Sequence, residues 1–191
     1  MGALIIGITG TKGAGKDTLA SSLIRMGWKR GAIVRRIAFA DKLKEVCADL
    51  FGLTQLQLHG DMASKEAIDA RWGMSAREIL QKMGTEVGRS VHPGVWIRYV
   101  MRQIEDHPDA IWVISDVRFE NEAAAIREAG GIIVRIERPS QGSAELASHA
   151  SEVESSRIAA NHTIMNDMPL VGPNEVARVF DVWADMILNA L

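Results

Sequence analysis

The chain has 191 residues, 47% of them hydrophobic and 24% charged, with a formal net charge of −2. This length predicts one substantial core and a single domain with elaborations rather than two domains. The balanced charge excludes the basic excess of a surface that coats nucleic acid, so no nucleic-acid polymer is expected as a partner.

The first residues, Met1-Gly2-Ala3-Leu4-Ile5-Ile6, lack the basic start of a targeting segment. No apolar run is long enough to span a bilayer, so no membrane partner is expected either. The run Leu4–Ile8 predicts a buried strand. After it comes Gly10-Thr11-Lys12-Gly13-Ala14-Gly15-Lys16-Asp17-Thr18, leading into a helical pattern from about Lys16 to Met26. The spacing is that of a phosphate-binding loop, G-x-x-x-x-G-K-[ST], except that Asp17 replaces the hydroxyl residue and Thr18 follows it. Strand, loop and helix stand in the order the chemistry needs.

Glycines at 10, 13 and 15, with the small Ala14 between, let backbone N–H groups approach a nucleotide and surround its β-phosphate. Lys16 adds a point charge between the β- and γ-phosphates, and the helix start favours an anion through its free N–H groups and dipole. Thr18 is placed to bond the α-phosphate. Asp17 falls where a hydroxyl would touch Mg²⁺, and a carboxylate is a hard oxygen ligand for that ion. Lys12 is positioned to lean over the γ-phosphate toward an acceptor.

A second strand is predicted over Ile33–Phe39, with Phe39-Ala40-Asp41-Lys42 at its mouth and a helix over Lys42–Phe51. Lys42 is a candidate for an acceptor phosphate; Asp41 either accepts from a substrate hydroxyl or caps the helix. The single cysteine, Cys47, excludes an internal disulfide and has no partner for a Cys-rich metal site, which fits a reducing cytosol. The interval before the third strand is too long for a simple crossover and predicts a helical insertion for acceptor binding.

Within that interval Arg71 to Arg89 contains a capping box, Ser75 to Glu78, and predicts a helix over Ala76–Gly88. Arg77, Gln81 and Gly84 or Thr85 would share one face, either reading a phosphate and a base edge or forming an ordinary solvated surface. Trp72 is expected as a buried anchor, with base stacking the alternative. A further helix covers Trp96–Glu105.

The third strand, Ile111–Ser115, runs into Asp116-Val117-Arg118-Phe119-Glu120-Asn121-Glu122. An acid at the carboxyl end of such a strand faces the ligand crevice, so Asp116 is a second Mg²⁺-associated candidate, with helix capping the alternative. Arg118 is placed either to pair with phosphate or to form an ion pair with Glu122. A helix over Glu120–Ala129 stops at Gly130-Gly131, and a fourth strand covers Ile132–Ile136. From Arg138 to about Ser156 the pattern is irregular, in the position of a mobile lid or a plain loop. His149 and Glu152 are spaced for one helical turn but have no third metal ligand in view. The strand His162–Met165 and a helix over Asn174–Ala190 complete the chain.

Short apolar runs alternating with helical patterns predict an α/β fold: a five-stranded parallel sheet with helices on both faces. One domain over 1–191 is expected, with core segments 1–40, 106–138 and 158–191, an acceptor-binding insertion at about 41–105, and a lid at about 139–157.

Taken together, the motifs resemble the bacteriophage-type deoxynucleoside monophosphate kinases. The resemblance rests on Gly-x-Lys-x-x-Gly-Lys-Asp-Thr at 10–18, Phe-Ala-Asp at 39–41, the helix from Arg77 to Gly84-Thr85-Glu86, and Asp-Val-Arg-Phe-x-Asn-Glu at 116–122. Val134-Arg135-Ile136-x-Arg138-Pro139 and His149-x-Ser151-Glu152 add to it. It implies a P-loop NTPase of nucleoside monophosphate kinase-like fold, using ATP and Mg²⁺ to phosphorylate a deoxynucleoside 5′-monophosphate. The loop residues would hold ATP; Lys12, Lys42, Arg77 and Arg118 would hold the acceptor, with Asp41 and Gln81 beside them. Transition-state charge would rest on Lys16, Lys12, Mg²⁺, Arg118 and Arg138, because no cluster of lid arginines like that of adenylate kinase is evident. The resemblance is compatible with a homodimer and with the cytoplasm, the host's if the chain is phage-encoded. Two alternatives stand beside it. One is a P-loop kinase for another small phosphorylated acceptor, such as phosphomevalonate or dephospho-coenzyme A. The other is a GTPase-like switch or regulatory nucleotide-binding module; the absence of an Asn-Lys-x-Asp guanine-reading motif counts against the switch.

Overall fold

The computed structural model describes residues 3–139, 150–168 and 173–190. In chain order its elements are β1 (Leu4–Thr9), α1 (Lys16–Lys29), β2 (Val34–Ile37), α2 (Phe39–Phe51), α3 (Gln55–His59) and α4 (Met62–Glu66). Next come β3 (Ile68–Asp69), β4 (Met74–Ser75), α5 (Ala76–Gln81), a π-helical stretch Lys82–Arg89 and α6 (Val95–Glu105). The remainder are β5 (Ile111–Ile114), α7 (Glu120–Glu128), β6 (Ile132–Glu137), α8 (Ala150–Arg157), β7 (His162–Met165) and α9 (Pro173–Asn189). Two compact units result: Met1–Ala38 with Met101–Leu191, and Phe39–Val100.

The first unit is the expected α/β layer structure. Its sheet has the order β2-β5-β1-β6-β7, with every pairing parallel. β1 is the middle strand, and its residues Ile5, Ile6, Ile8 and Thr9 are buried, as a strand covered on both faces requires. Ile6, Ile8, Val113, Val134 and Ile136 pack against Leu19, Ala20 and Leu23 of α1 and Phe180, Ala184 and Ile187 of α9. The opposite face carries α7: a Cβ on Gly7 would lie 2.8 Å from Ile126 Cδ1. A carboxylate fork joins the two helices of the first face, where Arg25 donates to both oxygens of Asp181 and holds that carboxyl below its ordinary range. Among the described residues no helix is long and apolar enough to cross a membrane.

The second unit has its own core of Cys47, Leu53, Leu58, Ala76 and Ile79. Burial pushes the Cys47 thiol up to about 11, which leaves it protonated and inert. The unit includes an antiparallel hairpin, Ile68–Asp69 with Met74–Ser75, as well as the expected helices. The Asp69 carboxylate organises that hairpin. It accepts from Arg71 Nε at 2.9 Å, Gln57 Nε2 at 3.0 Å and the Arg71 N–H at 3.0 Å, while its carbonyl accepts from the Trp72 and Gly73 N–H groups. Trp72 is an anchor at the rim rather than in the interior. It is 42% exposed, donates Nε1–H to the Phe51 carbonyl at 2.9 Å and meets that ring edge-on.

Three expectations need correction. The second strand ends at Ile37, because buried Phe39 already belongs to α2; Asp41 therefore lies inside the first helical turn and does not cap it. The helix expected over 76–88 keeps its Ser75–Glu78 capping box but turns π-helical at Lys82. Wider turns break the one-face spacing of Arg77 and Gln81 with Thr85. The stretch read as irregular from Arg138 to Ser156 ends in a helix, α8; its 140–149 portion lies outside the described residues.

Hydrogen bonds from Arg71 and Gln57 hold the Asp69 carboxyl well below the ordinary carboxylate range. Its stabilising effect is complete above about pH 4, where the unfolded carboxyl is also ionised, and is lost as pH falls toward the lower folded value. Urea midpoints of the wild type and Asp69→Asn should accordingly differ by a constant amount above about pH 4 and draw together progressively as pH falls below it; a gap independent of pH would refute this role.

Candidate active site

The loop between β1 and α1 is shaped by glycine backbone that other residues adopt only with strain. Gly10 has φ +141 and Gly15 φ +111. A Cβ on Gly10 would lie 2.1 Å from the Ile136 carbonyl oxygen, and one on Gly15 would lie 2.6 Å from Phe180 Cζ. Lys16 folds back over the loop, donating Nζ–H to the carbonyls of Gly10 at 2.8 Å and Thr11 at 2.7 Å. The loop is thereby closed around its lysine, with α1 starting at its far end.

The sheet's carboxyl edge brings the other candidates of this unit to the same side of the fold. Asp17 lies in the first turn of α1, with Thr18 beside it. Asp116 follows β5 by two residues, next to the strand that feeds the loop, and the Val117 N–H donates to the Ile8 carbonyl at 3.1 Å. Arg118 is exposed. Glu122 does not pair with its guanidinium: the carboxylate accepts from the backbone N–H groups of Arg118 at 2.8 Å and Phe119 at 3.1 Å. Phe119, not Asp116, is the N-cap of α7. Arg138 follows β6, and its guanidinium donates to the Met168 carbonyl at 3.1 Å. Lys12 is exposed in the loop itself.

Three buried side-chain oxygens among the described residues have no hydrogen-bond partner: Thr9 Oγ1, Ser115 Oγ and Asn166 Oδ1. All three stand at the carboxyl ends of strands, β1, β5 and β7. Orphan polar atoms of this kind call for an explanation, and their shared edge is where an α/β sheet binds ligands. Magnesium takes one or two carboxylates plus substrate phosphates, and two residues of that chemistry stand at this edge, Asp17 in the first turn of α1 and Asp116 just past β5. His149 and the Glu152 side chain lie outside the described residues.

The remaining candidates belong to the second unit. Lys42 on α2 bonds Glu45 at 3.0 Å and lies 5.7 Å from the centre of the Tyr99 ring; the bond to Glu45 raises its pKa. Arg77 on α5 lies 3.4 Å from the Glu66 carboxylate. Gln81 is exposed at the last position of α5. Gly84 explains its own residue type: a Cβ there would lie 2.7 Å from Leu43 Cδ2, so α2 packs closely on the π-helical stretch. Trp96 Nε1–H donates to the Gly84 carbonyl at 3.0 Å.

The glycine-rich loop between β1 and α1 and the parallel sheet define a P-loop fold. Solved structures agree on the fold. Shikimate kinase from Aquifex aeolicus matches with a TM-score of 0.51 at 16% identity, covering 98% of this chain and 99% of that one. The Mycobacterium tuberculosis APS kinase in complex with AMPPNP and APS matches with a TM-score of 0.50 at 13% identity, covering 98% and 96%.

Sequence comparison narrows the class. A family model described as phosphomevalonate kinase matches residues 8–131. The putative deoxynucleotide monophosphate kinase of Acanthamoeba polyphaga mimivirus is 40% identical over 168 residues, covering 79% of this chain and 81% of that protein. The deoxynucleoside-5′-monophosphate kinase of Escherichia phage T5 is 27% identical over 184 residues, covering 66% and 72%. The chain belongs to the phage-type deoxynucleoside monophosphate kinase family.

Two residues against the loop escaped the sequence reading. Asn166, directly after β7, donates Nδ2–H to the Ala14 carbonyl at 2.8 Å, and Phe180 of α9 lies under Gly15. The rule that singled out Asp116, a polar residue just past an apolar strand, also points to Asn166. Phe180 carried no signal beyond an apolar position on a helix.

Gly15→Ala places a methyl group against the Phe180 ring in a backbone conformation that disfavours it. The variant should lose about 1–3 kcal/mol of stability and bind nucleotide more weakly. Denaturant titration and nucleotide calorimetry test this, and wild-type values in both would refute the close fit.

Proposed function

We propose that the Gly10–Thr18 loop holds the phosphates of the donor nucleotide and that α2 and α5 carry the acceptor-binding side chains. The chain is an ATP-dependent deoxynucleoside monophosphate kinase, transferring the γ-phosphoryl group of ATP to the 5′-phosphate of its acceptor. The observation that carries this is the 40% identity to the mimiviral enzyme across 79% of the chain.

The reaction needs little covalent assistance. An oxygen of the acceptor phosphate is already anionic; it attacks the γ-phosphorus, the bond to the β-bridging oxygen breaks, and ADP leaves. Positioning and charge neutralisation then account for the rate. Lys16 leaves the Gly10 and Thr11 carbonyls and turns to the β- and γ-phosphates, where loop N–H groups and the α1 dipole add positive potential. Lys12, Arg118 and Arg138 bridge donor and acceptor charge. Lys42, Arg77, Gln81 and Asp41 orient the deoxynucleoside monophosphate. Asp17 and Asp116 would hold a magnesium ion, which when bound supplies further neutralisation of the phosphate oxygens.

A second reading, a kinase for a different small phosphorylated acceptor, is favoured only by the phosphomevalonate kinase description of the matching family model. ADP formation from Mg-ATP should appear with at least one deoxynucleoside monophosphate added singly, and not with phosphomevalonate or without acceptor. Turnover with phosphomevalonate alone would transfer the assignment to the second reading. Lys16→Ala should lower kcat by about 10²-fold or more, the scale of losing one transition-state donor, while its circular dichroism stays that of the wild type; retained turnover would exclude Lys16 from the chemistry.

A further inference from the structure

We propose that Asn166 is a positioning residue for phosphoryl transfer, fixing from the end of β7 the peptide that presents a loop N–H group to the donor phosphates. The proposal rests on the reading of Gly10–Thr18 as the donor site. Asn166 is 3% exposed and is itself held in place, since its own N–H donates to the Glu137 carbonyl at 2.7 Å and extends the β6–β7 ladder. From there Nδ2 donates to the Ala14 carbonyl at 2.8 Å, across 152 residues of sequence. The partner is an acceptor, so only the NH₂ end of the amide serves, and Oδ1 is left buried with no partner.

A buried amide oxygen without a donor opposes stability, and a small apolar residue would remove that penalty only by leaving the buried Ala14 carbonyl without its donor, so the amide is accounted for by what it does to the Ala14 peptide. What the amide adds is direction. In a trans peptide the C=O and the following N–H lie in one plane and point in opposite directions within it, and the described chain contains no cis bond. Anchoring the Ala14 carbonyl on Asn166 therefore turns the Gly15 N–H away from the sheet edge and toward the loop's concave side. The bonds from Lys16 to Gly10 and Thr11 come from a cation that must turn to the phosphates. The Asn166 bond involves no such cation and persists when ligand arrives.

Asn166→Asp keeps the shape and removes the donor; Asn166→Ala removes the whole amide. Both should raise the KM for ATP and the Kd for inorganic tripolyphosphate, Asn166→Asp by at least about tenfold, equivalent to some 1.4 kcal/mol. The KM for the deoxynucleoside monophosphate should stay within about twofold of wild type, a split that general loss of structure would not produce. Wild-type ATP KM and tripolyphosphate affinity in whichever variant folds, with or without a lowered Tm, would reduce Asn166 to a packing role and overturn the proposal. Lys16→Ala measured alongside separates the two failures. If it too binds tripolyphosphate normally, the donor-site reading falls and takes the proposal with it. If it loses binding while the Asn166 variants keep theirs, only the clamp falls.

Discussion

One bend in the chain governs this protein, the turn by which β1 gives way to α1. β1 is bonded on both edges and buried on both faces, so its end cannot shift without disturbing β5 and β6 together. The next residue must then turn so close to the Ile136 carbonyl that a Cβ there would lie 2.1 Å from its oxygen, which leaves room for no side chain. Gly10 is thus dictated by the close approach of backbone to backbone, and the loop that follows inherits a fixed origin. At its other end Gly15 rests on Phe180 and Ala14 is tied to Asn166. A loop held at both ends by the sheet and by α9 keeps its N–H groups oriented in advance, as the proposed binding of donor phosphates there requires.

The second unit solves a different problem. Its core cluster of Cys47, Leu53, Leu58, Ala76 and Ile79 is small, and polar devices supplement that core: capping boxes at Thr54 and Ser75, and the Asp69 carboxylate bound by Arg71 and Gln57. Its π-helical stretch is met by packing from two other helices. Gly84 lets Leu43 approach, and the indole N–H of Trp96 takes up the Gly84 carbonyl. Interruptions of this kind are common where helices carry function, and this one follows directly after Gln81.

How much of this was legible in the sequence depended on the range of the interaction involved. The five sheet strands were, because short segments carrying β-branched and apolar residues alternate with helical patterns; their observed limits lie within two residues of the expected ones. The phosphate loop was legible because its chemistry demands residue types at fixed spacing. Hairpin strands of two residues, by contrast, are too short to display alternation. The π-helical stretch has no composition of its own and arises from Leu43 and Trp96, both distant in sequence. Phe39 illustrates a boundary error of physical origin: a buried aromatic residue after a strand reads as strand until its side chain is known to serve a helix. The contact of Asn166 with Ala14 lay beyond any local pattern, although its place after a strand was visible.

The arrangement of cations divides those that hold the fold from those proposed to hold phosphate. Arg71 grips a carboxylate that is only 7% exposed, and Arg25 grips both oxygens of Asp181. These bonds are charge-assisted and bidentate, so surrendering either would strand a carboxylate in a poorly hydrated place. Lys42 and Arg77 are paired differently, each with a carboxylate more than half exposed. An exposed pair contributes little, and water readily replaces either partner. Such a cation exchanges its carboxylate for a phosphate at small cost, while the carboxylate it leaves stays solvated. Arg118 lies further along the same scale: Glu122 spends its carboxylate on backbone N–H groups, which shapes the loop and leaves the exposed guanidinium outside that bond. Among these cations the two that hold the fold, Arg71 and Arg25, grip the more sheltered carboxylates, and those proposed to hold phosphate, Lys42, Arg77 and Arg118, are the loosely partnered ones.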